Sequence, residues 1–184
     1  MPYRKIAWFI LLLLPCTTAV VAHRLLSQES ARLHAERGFD IQLDAPLDQA
    51  VPLFGPIGER EWAPDWSPNM IYPADGSFPA QGSVFTSSGK HGEEIWILTA
   101  YDTRNGLISY LVVLPGYLVT EIEIRVKKQG EKKSSAVVTY RKTALSQGGD
   151  EMVAAFSDNA GSHAAHWEAA INGALRKRRE NAGH

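Results

Sequence analysis

His163 and His166 are the first residues to test for chemistry, because a spacing of three sets two imidazoles side by side on one helical surface. A metal needs a third and usually a fourth ligand, and the sequence names none of known proximity. His163 falls on an apolar stripe with His166 beside it, which predicts core or rim histidines and no metal. Glu121 and Glu123 share the polar face of a strand with Arg125 and Lys127. That predicts a solvated face, since paired catalytic acids need a cavity that shifts their pKa values. No Gly-x-Ser-x-Gly occurs, and Ser87-Ser88-Gly89 lacks its first glycine. Val84 stands where a phosphate loop ending in Gly89-Lys90 needs glycine. No dinucleotide fingerprint appears, so neither a cofactor nor a catalytic residue is assigned.

What remains is aromatic. Trp62, Trp66, Phe85, Trp96, Tyr101, Tyr110, Tyr140, Phe156, His163 and Trp167 are the candidate ligand-binding residues. Rings with a polar tip suit an apolar pocket with a few orienting donors. The same residues at the same periods also suit a filled core.

These side chains need elements to position them. Residues 55–68 pack two Trp, three Pro and two Gly around Glu59, Arg60, Glu61 and Asp65. Trp is costly to leave in water and Pro fixes φ and removes donors, so this stretch is a shaped, partly buried corner. Glu59 and Arg60 are expected to pair there and hold it. Before the corner, Phe39, Ile41 and Leu43 alternate with polar residues as in a half-buried strand over about 33–43, and Asp44 caps a short helix that follows. Short apolar stretches at 69–72 and 83–87 come next. Residues 94–102 and 107–114 form a hairpin in which Asn105-Gly106 favours a type I′ turn. Residues 118–127 alternate cleanly, and 135–143 form another strand, so the sheet is an antiparallel meander with one apolar face.

After Gly148-Gly149 the period changes to three and four. Met152, Phe156, Ala160, His163, Trp167, Ile171 and Leu175 describe one helix of about 28 residues, by its 3.6-residue period. Asp150 at its start and Arg176-Lys177-Arg178-Arg179 at its end suit the helix dipole. The basic run also fits an anionic lipid or a nucleic acid, but a solvated helix end is the reading adopted.

Composition bounds the function. The 184 residues are 45% hydrophobic and 21% charged, with a formal net charge of −1, so nothing global points to nucleic acid. Arg4 and Lys5, the apolar run at 6–14, Pro15 and small residues to Ala22 have the order of a secretory signal peptide cleaved after Ala22 or Ala19. The rival reading is an uncleaved membrane anchor over 6–22. Cleavage removes Cys16, the single cysteine, and leaves a domain with no disulfide or thiolate site. The expected organisation is a leader at 1–22, a tether at 23–32, a domain at 33–178 and a basic or polar tail at 179–184. Export would place the domain in the periplasm or outside the cell.

The chain resembles the SRPBCC superfamily, which includes START lipid-transfer domains, the birch-pollen allergen group and polyketide cyclases. The resemblance spans about 33–175. It is carried by Gly55-Pro-x-Gly-Glu-Arg-x-Trp-x-Pro-x-Trp-x-Pro68, Val84-Phe85-Thr86, Trp96 through Tyr101-Asp102, the stretch Val138 to Ser146 and Trp167-Glu168-Ala169-Ala170-Ile171-Asn172. It implies an α+β helix-grip fold, a curved antiparallel sheet wrapped around a long C-terminal helix, with two short helices after the first strand. It also implies a cavity between sheet and helix for a hydrophobic small molecule or lipid. Its alternatives are a cyclase or aromatase acting on a chain folded in that cavity, or a structural domain with the cavity filled.

Overall fold

Period-two alternation in the middle of the chain produces seven strands in the computed structural model, which describes residues 31–74 and 80–182. The expected leader and nearly all of the tether lie outside the described residues. The strands are β1 (His34–Leu43), β2 (Asn69–Tyr72), β3 (Val84–Gly89), β4 (Gly92–Asp102), β5 (Leu107–Leu114), β6 (Leu118–Lys128) and β7 (Ser134–Ala144). They form one antiparallel sheet in the order β1-β7-β6-β5-β4-β3-β2. β2 to β7 is the expected meander, and β1 closes beside β7 across most of the chain. Between β1 and β2 lie a short helix α1 (Leu47–Ala50) and 3-10 turns at Val51–Phe54 and Gly58–Glu61. The last element is α2 (Gln147–Ala182), 36 residues long.

One face of the sheet is apolar throughout. Leu118, Thr120, Ile122, Ile124 and Val126 of β6 are buried, while Glu121, Glu123 and Arg125 point away. The charges on the outer face pair locally: Arg125 Nε donates to Glu123 at 2.8 Å and Arg141 Nε to Glu36 at 2.9 Å. The inner face meets Ile171, Ala174 and Leu175 of α2, all buried with Ile41, Leu53 and Phe54 in one core.

Three local expectations are corrected. The β4–β5 turn is not type I′, because Asn105 does not adopt positive φ; only Gly106 does, at +72°. The Asp102 carboxylate instead accepts from the backbone N–H of Arg104 and Asn105 and from Asn105 Nδ2, an Asx arrangement that sets the turn. Asp44 does not cap α1, whose N-cap is Pro46; the Asp44 N–H donates to Asn172 Oδ1 at 2.9 Å. The long helix begins before both glycines, because Ser146 caps it: its Oγ accepts from the Gly149 N–H.

β1 is an edge strand, and α2 satisfies its outer backbone at Gln42. The Gln42 N–H donates to Glu168 Oε2 at 2.8 Å, and Asn172 Nδ2 donates to the Gln42 carbonyl at 2.8 Å. Exposed edges invite pairing with other chains, and here side chains of the helix occupy the outward groups near the end of the strand. At the far end Arg178 donates from Nε to Glu61 at 2.6 Å, and Arg179 donates to the Asp44 carbonyl at 2.8 Å. The basic run is thus partly a clasp on the corner, not only a solvated helix end.

Candidate functional site

The corner is a self-bonded unit. Its second 3-10 turn is followed by backbone bonds from Trp62 and Ala63 to the Glu59 carbonyl and from Trp66 to Ala63. Trp62 Nε1 donates to the Leu53 carbonyl and Trp66 Nε1 to the Pro56 carbonyl, each at 2.8 Å. Both indoles therefore spend their donors locally, Trp62 on the preceding 3-10 turn and Trp66 on the corner, and present ring faces elsewhere. Gly58 is required by closeness: a Cβ there would stand 2.0 Å from the Pro52 carbonyl oxygen. The expected Glu59–Arg60 pair does not form. Arg60 reaches the Pro68 carbonyl at 3.0 Å, and the acid that finds an arginine is Glu61. Adjacent residues on a tight turn point to different sides.

Between this corner and α2 lies a cleft of about 450 Å³, walled by Trp62, Trp66 and Trp167, with Glu59 on its lining and Asp65 and His166 at exposed positions. The Trp62 and Trp167 rings sit 4.9 Å apart, centroid to centroid. A second hollow of about 410 Å³ shares Trp62 and Pro64 and is bounded by Glu61, Gly173 and Lys177.

The ten candidate residues divide. Phe85 and Tyr110 are fully buried core, and Tyr110 spends its hydroxyl on the Phe54 carbonyl at 2.8 Å. Trp66, Phe85, Trp96 and Tyr110 form one continuous aromatic cluster with centroids 5.1–6.2 Å apart. Trp96 donates to Ser87 Oγ. Trp62 and Trp167 join Phe54 and Phe39 in a second cluster, and Tyr140 bridges Phe39 to Phe156. His163 is exposed. The apolar stripe of α2 does not run through it, and His166 is the imidazole on the cleft. Among the described residues no group of three or more His, Cys, Asp or Glu could hold a metal, and no helix is long and apolar enough to cross a membrane.

Tyr101 reaches the inner face through a bulge. Leu98 pairs with Tyr110 and Ala100 with Ser109, so one extra residue, Thr99, enters β4. The alternation flips there, and Tyr101 lies opposite buried Ile108. Its hydroxyl abuts Gly55, where a Cβ would come within 3.0 Å.

The residue that sequence reasoning missed is Glu59. Burial pushes its carboxyl up to about 8 from 4.5, and no ion pair or hydrogen bond from the described residues offsets this. Its charge adds to the burial that raises the Tyr110 and Tyr140 hydroxyls. Burial also lowers Lys142, against a smaller opposing effect of Glu94, and its ammonium lies 4.2 Å from the Phe156 ring centroid. The available signal was spacing: Glu59 precedes Trp62 by three, one turn away on the same side.

A curved antiparallel sheet gripping a long C-terminal helix, with short turns after the first strand, is the helix-grip fold on which SRPBCC and birch-pollen-allergen-like proteins are built. Solved structures agree. The norcoclaurine synthase of Thalictrum flavum, bound to a transition-state analogue, superposes with a TM-score of 0.60 at 12% identity, covering 82% of this chain and 99% of that one. The Zhui aromatase/cyclase of Streptomyces sp. R1128 gives 0.59 at 13%, with the same two coverages, 82% and 99%. Ara h 8.0201 gives 0.56 at 9%, covering 78% of this chain and 99% of that one. At such identities the likeness is one of fold. No protein-family model and no curated protein matches the sequence.

Proposed function

We propose that this is an exported, non-covalent binding domain for a hydrophobic small molecule or lipid, held not between the sheet and α2 as the resemblance implies but in the cleft between the corner and α2. The observation that carries the reading is the cleft of about 450 Å³ walled by three indoles, two of which have their donors satisfied by nearby backbone carbonyls. That volume falls within the range of small-molecule pockets, and ring faces without free donors favour apolar bodies. Export rests on the charged, apolar and small-residue order of residues 1–22. Native mass spectrometry of protein purified from its own envelope tests the binding. A non-covalent adduct lost on denaturation is expected, and its release identifies the ligand. Empty protein with no thermal shift across a lipid panel would overturn the proposal. N-terminal sequencing tests export by cleavage: a start at residue 20 or 23 is expected, and a start at Met1 or Pro2 points to the anchor.

A second reading, a cyclase or aromatase, is favoured by one observation. Glu59 and the Tyr101 and Tyr140 hydroxyls are inward polar groups of the kind that polarise a carbonyl and move its protons. Incubation with the recovered ligand and candidate precursors decides between the two. A product lighter by water supports the enzyme, and unaltered compound supports binding alone.

A further inference from the structure

Charge sorts what the cleft accepts. The described basic groups nearest the corner and the inner sheet are engaged elsewhere: Arg60 with the Pro68 carbonyl, Arg178 with Glu61, and Lys142 over the Phe156 ring. On the cleft wall stands Glu59, half-buried, with neither ion-pair nor hydrogen-bond partner among the described residues. Asp65 adds a second acid, and the Trp62 and Trp66 donors are spent. The lining therefore offers carboxylate oxygens and π faces, with the Trp167 indole and the His166 imidazole as its nitrogen groups.

We propose, resting on the reading of this cleft as a small-molecule site, that its occupant is an organic cation: an ammonium group set against Glu59 and carried on a flat apolar body lying on Trp62, Trp66 and Trp167. A half-buried carboxylate against apolar rings is poorly solvated when ionised, and a ligand cation supplies a partner for it. Indole faces attract the same charge through their quadrupoles. A fatty acid or other anionic amphiphile meets no lysine or arginine on the wall to offset its charge. The class of ligand thereby narrows from any hydrophobic molecule to an amine with an aromatic or similarly flat body.

The titratable groups around Glu59 are Asp65 from the corner and His166 from α2 on the cleft lining, Tyr110 from β5 and Tyr140 from β7, with Tyr101 of β4 next to Tyr110. The three phenols stay neutral at pH 7, since burial raises each of them. Glu59, whose proton is held to about pH 8, must give it up when an ammonium arrives. Amine binding at pH 7 should therefore release close to one proton.

The test is calorimetry at pH 7 with three probes sharing one ring: tryptamine, neutral 3-ethylindole and anionic indole-3-propionic acid. Tryptamine is expected to bind about tenfold more tightly than 3-ethylindole, the size of one charge-assisted contact, with the acid weakest. Titrations in buffers of different ionisation enthalpy should show the proton release for tryptamine alone. Glu59→Gln should bring tryptamine to the affinity of 3-ethylindole and abolish the release. The wild-type proton count stands even if that variant folds poorly. Binding of 3-ethylindole as tight as tryptamine, or tryptamine affinity unchanged in a folded Glu59→Gln variant, would overturn the cation while leaving the cleft as a ligand site. Failure of all three probes to bind would overturn both.

Discussion

Set on a 3-10 turn beside three indoles, the Glu59 carboxyl keeps its proton to about pH 8, against 4.5 for the ordinary group. Between those values the folded protein binds a proton that the unfolded chain has lost. Stability contributed by this residue is therefore greatest at low pH, falls as pH rises from about 4.5 to 8, and changes no further above that. Glu59→Gln keeps the shape of the protonated acid, so its urea midpoint should exceed that of the wild type increasingly across this window and level off beyond it. Parallel midpoint curves for the two proteins would show that the carboxyl is solvated. Gly58 supplies a second residue-scale expectation. An added methyl 2.0 Å from the Pro52 oxygen and 2.8 Å from its carbon meets backbone, not a movable side chain. Gly58→Ala should cost about 2–3 kcal/mol in equilibrium unfolding, and wild-type stability would mean that the corner can spread. The two corner tryptophans were legible from sequence because large rings between prolines must be packed somewhere. Glu59 was not, since what singles it out is proximity to phenols from β5 and β7, and only the folded sheet supplies that.

At the scale of elements, the helix is both core and edging. Asn172 bonds the backbone at the end of β1 twice, as donor to Gln42 and as acceptor from Asp44 just beyond the strand. Asn172→Ala should destabilise by about 1–2 kcal/mol and increase aggregation in light scattering, because the strand edge is uncovered. A loss of stability without aggregation would assign the edge's protection elsewhere. The Arg178–Glu61 clasp is partly exposed on both sides, so a double-mutant cycle of Arg178→Ala and Glu61→Ala should give a coupling below about 1 kcal/mol. A larger coupling would show the clasp shielded from water. The boundaries of β5 were readable to the residue, as its flanks, a glycine turn on each side, punctuate the alternation. The length of α2 was not: its start is set by the Ser146 cap and its last turns are held by Arg178 and Arg179, and neither contributes to an apolar period. The bulge at Thr99 also lay beyond reading, because a single extra residue leaves no mark in composition. It nonetheless decides which way Tyr101 points.

For the molecule as a whole, the order of strands and the final helix was enough to give the architecture, since alternation followed by a 3.6-residue period admits few arrangements. The pairing of β1 with β7 carried no local signal and came only with the folded sheet. It brings His34 to Thr143, 109 residues away. A fold that depends on so distant a contact should refold in milliseconds to seconds, by the trend of rate with contact order, and microsecond refolding in stopped or continuous flow would contradict it. The same pairing sets a timetable for synthesis. β1 leaves the ribosome first among the strands and its neighbour last, so at roughly 5–20 residues per second the stretch carrying Phe39, Ile41 and Leu43 has no native partner for about five to twenty seconds. Throughout that interval the newborn chain presents a sticky, unclaimed segment. Guarding it falls to whatever meets the polypeptide first, and the arrival of β7 and α2 ends that duty.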